Sequence, residues 1–566
     1  MKKTQLVVTP GYFEIFGEAS NVEALLKDVP STSVIQVLCI LNAQLVGPEA
    51  QIKDKTAVRD FAQGLSAHEK SRLNQRLMEL SRDRKSVRLF TSLYVSHFLH
   101  HELHNYRDLP HRPPTPEDFG RILKAYLLIV DLYNDHLCSI PDVDPELSDI
   151  EWNNRRTWSI AAPQFEFNRR VDPIYTLAML HVLFDELEKT PKFKAYAETY
   201  CAHFGCADGF RLVRHFLSVL RISHTIQNDL RIAKFQATED IRPLMNHLCH
   251  RPRQDGTPWA PGSLRTLKQF PLYQVQDGEY YVLNWDFFYR ATYEAVLRDF
   301  YERSGIRMHY DDVDEEIDPQ KWGNFKSWVS DAVIERRFFQ TLLKMMYKSH
   351  PADLSFASDS QRAESDAYIR FGRYLALVEC KDTDIPETTL VPFDYDAFVA
   401  ELSKKHLRNE NDRPKTLLQL DRNALAAKSG NYPEHIYRTH RPDELWIIPV
   451  LVCSSYHYSM PGINEHLNDL YLKHSTTRTG PLVVLTLEYL FHCIIKFRPK
   501  GLVPVLLQYS AIRRRNWKSF RESPTPDSWL TVAGSIEQAC PVDSTPYHAD
   551  TTFIREFYKT LGVIHG

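Results

Sequence analysis

The chain has 566 residues and a formal net charge of -3, with 43% hydrophobic and 25% charged residues. These fractions are ordinary for folded globular proteins and exclude a mainly disordered or fibrous chain. The near-neutral charge also excludes a basic field over the whole molecule, so any contact with nucleic acid must come from local basic surfaces.

No segment of the sequence has the features of a membrane span or a secretion signal. The longest apolar run, Leu482 to Phe497, is shorter than the roughly 20 residues that cross a bilayer, and it contains Glu488 and His492. Pro10 and Gly11 interrupt the apolar stretch that a signal peptide needs. The nine cysteines lack the spacing of a disulfide framework or a zinc site. We therefore expect a cytoplasmic protein with reduced thiols and no membrane contact.

Helical patterns dominate the first part of the chain. Ser66 and Glu69 form a capping box before a run of leucines at helical spacing. A segment rich in proline and glycine follows near residue 251, then a hairpin around Gly278 and a helix from about Asn284 to Arg303. These patterns predict a mainly α-helical amino-terminal region at 1–250 and a linker, hairpin and helix at 251–320.

From about residue 321 the pattern changes to mixed α/β. The predicted elements are helices at Gly323–Tyr347, Tyr395–Leu407, Pro414–Gly430 and Leu487–Phe497, and strands at Asp366–Phe371, Tyr374–Lys381, Leu445–Cys453 and Leu482–Leu485. We therefore predict an α/β domain at 321–500, with a mixed sheet flanked by helices, and a basic C-terminal tail region at 501–566.

The two strands before residue 382 bring acidic residues together. Gly372 suits the first central position of a two-residue turn, and counting outward from that turn puts Asp366 directly opposite Glu379. Alternation along the strand puts Lys381 on the same face as Glu379. Two carboxylates about 5 Å apart repel each other unless a cation lies between them. This register predicts a metal site, and the alternative is a charged hairpin end that faces solvent.

A third acid is predicted from the preceding helix. Trp328, Ala332, Phe339 and Leu342 recur along one stripe of the Gly323–Tyr347 helix, and Glu335 falls on that same stripe. A carboxylate on a buried helix face is costly unless it is paired or binds a metal. The alternative to a metal ligand is a salt bridge to a buried arginine.

Asp366, twelve intervening residues and then Glu379-Cys380-Lys381 resemble the active-site motif of the PD-(D/E)xK nuclease superfamily, which includes restriction endonucleases and phage-defence nucleases. The resemblance covers about residues 322–497 and implies a restriction-endonuclease-like core with the element order α-β-β-β-α-β. It implies Mg²⁺ or Mn²⁺ bound by Asp366, Glu379 and the carbonyl of Cys380, with Glu335 completing the site and Lys381 orienting the attacking water. Gln419 resembles a family position that contacts the phosphate backbone.

The densest basic stretch lies in the predicted tail. Its members are cations with an interleaved aromatic residue, a composition typical of nucleic-acid contacts: Arg513, Arg514, Arg515, Trp517 and Lys518. The alternatives are a solvated surface or a site for a partner protein.

Together these patterns predict a metal-dependent endonuclease that hydrolyses DNA, with a possible partner subunit in restriction or phage defence. Two other hypotheses stay open. The chain is either a catalytically idle nucleic-acid-binding or sensor protein with a nuclease fold, or an RNase, because the motif does not distinguish DNA from RNA. The setting in phage defence is an argument by analogy with proteins that share such a core.

Overall fold

The computed structural model describes residues 7–18, 20–45, 50–82, 86–137, 148–168, 171–222, 224–225, 230–252, 259–306, 322–357, 365–432, 434–498, 501–541, 556–557 and 559. The chain divides into two compact units. The first unit comprises residues 1–139 and 167–306, and the second comprises residues 140–166 and 307–566. Residues 251–306, predicted as a connecting region, therefore belong to the first unit. Residues 140–166, predicted within the amino-terminal region, belong to the second.

The elements are numbered in chain order. The helices are α1 (Tyr12–Phe16), α2 (Val22–Leu26), α3 (Ser31–Gln44), α4 (Ala50–Ala62), α5 (Ala67–Arg82), α6 (Ser92–His104), α7 (Pro116–Leu137), α8 (Asp149–Ala161), α9 (Phe165–Asn168), α10 (Pro173–Lys189), α11 (Pro191–His203), α12 (Gly209–Ile222), α13 (Arg242–His247), α14 (Arg265–Gln269), α15 (Trp285–Ala291), α16 (Glu294–Arg303), α17 (Trp322–Trp328), α18 (Gln340–Met346), α19 (Tyr395–His406), α20 (Thr416–Lys428), α21 (Glu434–Tyr437), α22 (Ile463–His474), α23 (Leu487–Phe497), α24 (Leu502–Glu522), α25 (Pro526–Ala533) and α26 (Ser535–Ala539). The strands are β1 (Val7–Val8), β2 (Ser86–Val87), β3 (His224–Thr225), β4 (Leu230–Arg231), β5 (Lys234–Gln236), β6 (Leu272–Gln276), β7 (Glu279–Val282), β8 (Leu354–Phe356), β9 (Ala367–Phe371), β10 (Tyr374–Lys381), β11 (Trp446–Cys453) and β12 (Val483–Thr486).

The first unit is mainly helical, as predicted. The capping box before α5 is present: the Glu69 backbone N–H donates to Ser66 Oγ, and the Ser66 backbone N–H donates to the Glu69 carboxylate. The predicted hairpin is β6–β7, which pairs with β5 in a three-stranded antiparallel sheet. The helix predicted from Asn284 to Arg303 is instead two helices, α15 and α16, separated near Tyr293.

The second unit is mixed α/β around a five-stranded sheet of order β12-β11-β10-β9-β8. β10 is antiparallel to β9 and parallel to β11, and β11 is parallel to β12. The predicted strands are all present, while β8, α21, α22 and the helices of the predicted tail, α24 to α26, were not predicted. β8 has three residues, none of them fully buried, so it carries too little periodicity to be recognised in the sequence.

Alternation along β10 separates the two faces of the sheet. Leu375 and Leu377 belong to a buried cluster with Phe398 of α19 and Leu420 of α20. Trp158 of α8 joins this cluster from the segment 140–166, so that segment contributes to the core of the second unit. Glu379 lies two residues after Leu377 and therefore on the same face of the sheet, so its side chain is directed towards α20.

The long helix predicted before the hairpin changes its hydrogen bonding part way along. Residues Val329–Phe339 form a π-helical segment between α17 and α18. The buried positions in this segment include Val333, Ile334 and Phe338, whereas Ala332 and Glu335 are half-buried. The predicted stripe is therefore wrong here, because it assumed α-helical spacing throughout. π-helical segments are rare in proteins, and those that occur are often found at functional sites.

The described part of the predicted C-terminal tail, residues 501–541, is helical and packed. Helices α24, α25 and α26 contact one another, and Phe520, Trp529 and Val532 form a small buried cluster. Among the described residues, no helix combines the length and the apolar character needed to cross a membrane.

Candidate active site

The β9–β10 hairpin brings Asp366 and Glu379 together. Its ladder ends at the pair Ala367 and Val378, so the next two residues outward are Asp366 and Glu379. Gly372 has a φ of +56°, the left-handed conformation that the first central position of the turn requires. The register predicted from the sequence is confirmed.

Lys381 lies between these two carboxylates. Its Nζ is 3.2 Å from Glu379 Oε2 and 3.6 Å from Asp366 Oδ2. Asp366 Oδ2 also accepts a hydrogen bond of 2.7 Å from the backbone N–H of Cys380. The three residues of the predicted motif therefore meet at one edge of the sheet, where the ammonium group of Lys381 contacts both carboxylates.

Glu379 is the most enclosed member of the cluster, with 3% of its surface exposed. Asn423 of α20 donates from Nδ2 to Glu379 Oε1 at 3.4 Å and to Ser365 Oγ at 3.0 Å. Burial raises the pKa of Glu379 and outweighs Lys381, which lowers it. Asn423 was not identified from the sequence, although its position four residues after Gln419 put both on one helix face.

Lys381 carries its positive charge throughout the neutral range. Burial alone lowers the pKa of an ammonium group, but the charges of Glu379, Asp366 and Glu335 outweigh it and raise the pKa of Lys381 above its usual range. The side chain therefore acts as a fixed cation and hydrogen-bond donor, not as a proton acceptor.

Glu335 reaches the same site from the π-helical segment. It lines one pocket together with Lys381. Burial raises the pKa of Glu335 to about 8; Lys381 opposes this rise, and the charge of Asp366 adds to it. Below about pH 8 Glu335 therefore holds a proton, mainly because burial disfavours its charged form.

The pocket beside Lys381 and Glu335 has a volume of about 580 Å³. Gln419 of α20 lies in its wall, so the structure brings this predicted residue together with the motif. The ends of α19 and α20 complete the wall with polar side chains, including His406 and Lys415. The pocket is of the size that takes a small molecule or a short part of a polymer.

Asp382 is a further charged residue that the sequence analysis missed. Its side chain is 4% exposed and lies 2.8 Å from Lys326 Nζ. It also accepts hydrogen bonds from Ser330 Oγ, at 2.9 Å, and from Ser454 Oγ. Burial raises the pKa of Asp382, but Lys326 and the hydroxyl groups outweigh it and hold the pKa low. These contacts join the ends of β10 and β11 to the helix that carries Glu335.

The donor set fits a hard divalent cation. Asp366, Glu379 and Glu335 supply carboxylate oxygens, the ligand type that Mg²⁺ prefers. Burial raises the pKa of both Glu335 and Glu379 and so disfavours their charged forms, which a bound cation would stabilise. Among the described residues, no three His, Cys, Asp or Glu side chains converge closely enough to form a ready-made metal site.

The predicted basic surface lies on α24, and part of it is used within the protein. Arg513 Nε lies 3.0 Å from both carboxylate oxygens of Glu465, and Trp517 Nε1 donates to the same carboxylate at 3.2 Å. Glu465 is buried and requires these partners. Arg513 and Trp517 therefore stabilise a buried carboxylate within the second unit, and the prediction that they form a surface for nucleic acid is corrected. The other predicted contacts are exposed on the same helix: Arg514, Arg515 and Lys518.

No protein-family model, no curated protein and no solved structure matches this chain.

Proposed function

We propose that this protein is a Mg²⁺- or Mn²⁺-dependent nuclease that hydrolyses phosphodiester bonds of DNA as an endonuclease. The observation that carries the proposal is the cluster of Asp366, Glu379 and Lys381 at one sheet edge, with the ammonium group 3.2 Å and 3.6 Å from the two carboxylates. Restriction or phage defence is the biological setting that the resemblance to PD-(D/E)xK nucleases suggests.

The order of elements also supports the proposal. A helix that carries Glu335 precedes the strands β8, β9 and β10, and helices and then β11 follow. This is the order α-β-β-β-α-β that the resemblance implies, with two helices more than required between β10 and β11, since α19, α20 and α21 all lie there. The acidic motif residues lie at the ends of neighbouring strands in that order.

Asp366, Glu379 and the carbonyl of Cys380 would hold the metal ion, with Glu335 as a further ligand. When bound, Mg²⁺ supplies a Lewis acid that neutralises charge on the scissile phosphate and acidifies a water molecule.

The remaining roles belong to side chains of the pocket. Lys381 is the fixed cation of the site, and it donates hydrogen bonds to the attacking water or to the phosphate oxygens as negative charge develops on them. Gln419, in the wall of the same pocket, has an amide group that can donate to a neighbouring phosphate oxygen. The burial of Glu379 excludes water from one side of the cluster, which strengthens the electrostatic contacts within it.

A digestion panel tests the proposal. Purified full-length protein is incubated with duplex DNA, single-stranded DNA and single-stranded RNA, each with Mg²⁺, Mn²⁺ or EDTA. We expect metal-dependent cleavage of DNA that Lys381→Ala removes, while Lys344→Ala, an exposed lysine of α18, leaves it unchanged. Cleavage of RNA alone would make the protein an RNase, and no cleavage under any condition would contradict an enzymatic role.

A further inference from the structure

The lysines that line the active-site pocket differ in their partners. Lys381 contacts the motif carboxylates, Lys404 pairs with Glu410, and Lys405 pairs with Glu401. Lys415 lines the same pocket and has no carboxylate partner among the described residues. A half-buried cation without a counter-charge beside a polar pocket is a place where an anion is stabilised.

Lys415 is the outer member of a polar stripe along α20. Lys415, Gln419 and Asn423 follow one another at intervals of four residues and therefore share one face of the helix. The inner member, Asn423, donates to Glu379 at 3.4 Å. Eight residues at 1.5 Å each put Lys415 about 12 Å from Asn423 along the helix axis. The stripe therefore runs from Asn423, beside Glu379, to Lys415 in the wall of the pocket.

The position of Lys415 is unfavourable for the helix itself. It occupies the N-cap of α20 and makes no side-chain capping hydrogen bond. Ser, Thr, Asp and Asn are the residues that stabilise an N-cap, and a cation there opposes the positive end of the helix dipole. Positions where a local rule is broken without a local gain are typical of functional sites.

A second group in the pocket wall has an unused polar atom. His406 is 1% exposed, and its Nε2 lies 2.7 Å from the hydroxyl oxygen of Tyr458. Its Nδ1 is buried and has no hydrogen-bond partner among the described residues. Burial lowers the pKa of His406 to about 3, so the ring is neutral and adds no charge of its own at this end of the pocket.

We propose that Lys415 binds a backbone phosphate of the substrate strand on the side of the scissile phosphate that lies along α20. A strand of B-DNA advances about 3.4 Å per nucleotide along the helix axis, so the length of the stripe corresponds to about three to four nucleotides. The scissile phosphate lies at Lys381, and Gln419 lies between the two ends. This inference rests on the proposed nuclease function and adds the direction in which the strand leaves the site.

The test replaces Lys415 with serine. Serine is a good N-cap residue, so Lys415→Ser raises the melting temperature while it removes the phosphate contact. The matched control is Lys428→Ser at the opposite end of the same helix, where a lysine suits the dipole and serine lowers the melting temperature slightly.

Binding is measured with a labelled DNA oligonucleotide in EDTA, so that no cleavage occurs, over a series of salt concentrations. Lys415→Ser is expected to reduce the slope of log affinity against log salt by about 0.9 on duplex DNA or about 0.7 on a single strand, as the loss of one phosphate contact requires. Lys428→Ser keeps the wild-type slope. A wild-type slope in Lys415→Ser, or an equal reduction in both variants, would overturn the proposal.

Cleavage by wild type in Mg²⁺ is measured in parallel and separates the two proposals. Cleavage by wild type with an unchanged slope in Lys415→Ser overturns the strand path alone. A reduced slope without cleavage by wild type supports the phosphate contact and contradicts the catalytic role.

Discussion

Replacing Glu335 with glutamine removes one ionisable group from the pocket and keeps the shape of the side chain. Burial raises the pKa of Glu335 to about 8, from an ordinary value of 4.5. A raised carboxyl pKa means that the fold favours the protonated form. The contribution of Glu335 to the stability of the folded protein is therefore fully present below about pH 4.5, where its carboxyl group is protonated in both the folded and the unfolded chain. This contribution is lost as the pH rises through about 8.

The size of the effect follows from the two pKa values. One pKa unit corresponds to about 1.4 kcal/mol, so ionisation in the unfolded chain lowers the free energy of unfolding by about 4 kcal/mol near pH 8 and by about 1 kcal/mol near pH 5. Glutamine does not ionise. In the absence of metal, Glu335→Gln is therefore expected to be more stable than wild type near pH 8 and close to it near pH 5.

The assay is urea unfolding in EDTA near pH 5 and near pH 8, followed by tryptophan fluorescence and analysed for the transition that responds to the substitution. Asp443→Asn is the matched control, because Asp443 lies in the same unit, away from Glu335 in sequence, and its side chain is 70% exposed. Its effect should be small and equal at both pH values. An equal difference between Glu335→Gln and wild type near both pH values would refute the assignment of a raised pKa to the half-buried Glu335.

Three further outcomes are expected. Alanine at Asp366, Glu379 or Lys381 should remove most cleavage and leave the circular dichroism spectrum unchanged, and a fully active Asp366→Ala would contradict the active site. Reversing Arg514 and Arg515 to glutamate should weaken DNA binding for all sequences alike, because phosphate contacts carry no base information. The salt dependence of binding should also flatten, because fewer counterions are released. An unchanged slope of log affinity against log salt in anisotropy titrations would exclude this surface. Calorimetric titration should find weaker Mg²⁺ binding as the pH falls from 8 to 6, since the raised carboxyl pKa values require protons to leave before metal binds; pH-independent affinity would contradict it.

The hairpin register could be predicted because it depends on local rules. Gly372 fixes the turn, and the alternation of side chains then determines which residues face each other. The pairing of Asp366 with Glu379 follows from counting outward from that turn. The apolar run that forms β11 was also predictable, because a strand with parallel neighbours on both sides is buried over most of its length, here from Ile447 to Cys453.

Contacts between distant segments could not be predicted in the same way. Asn423 and Glu379 are 44 residues apart, and Arg513 and Glu465 are 48 residues apart. No local pattern specifies either contact. A basic run in the sequence therefore looked like a free surface, although Arg513 is needed inside the second unit to neutralise a buried carboxylate.

The π-helical segment was missed for another physical reason. The spacing of apolar residues at three and four positions is evaluated for α-helical geometry, whereas the extra residue in a π turn shifts every following side chain around the helix axis. Glu335 therefore lies at the pocket and not on the buried stripe. The sequence prediction put Glu335 near the motif, and the structure places it in one pocket with Lys381, but the prediction used a periodicity that this segment does not have.

The mixed topology of the sheet explains why the charges gather at one edge. β10 and β11 are parallel, so their carboxyl ends lie together, and the Ser454 backbone N–H donates to the Lys381 carbonyl at 3.1 Å. Ligands of open α/β sheets bind at the carboxyl ends of such strands. β9 runs the opposite way, so its first residues lie where β10 ends, and Asp366 joins Glu379 there. With β9 parallel to β10, the hairpin would be lost and Asp366 would lie at the far end of the sheet. The contact of Asp366 with Lys381 beside Glu379 therefore depends on this one antiparallel pairing.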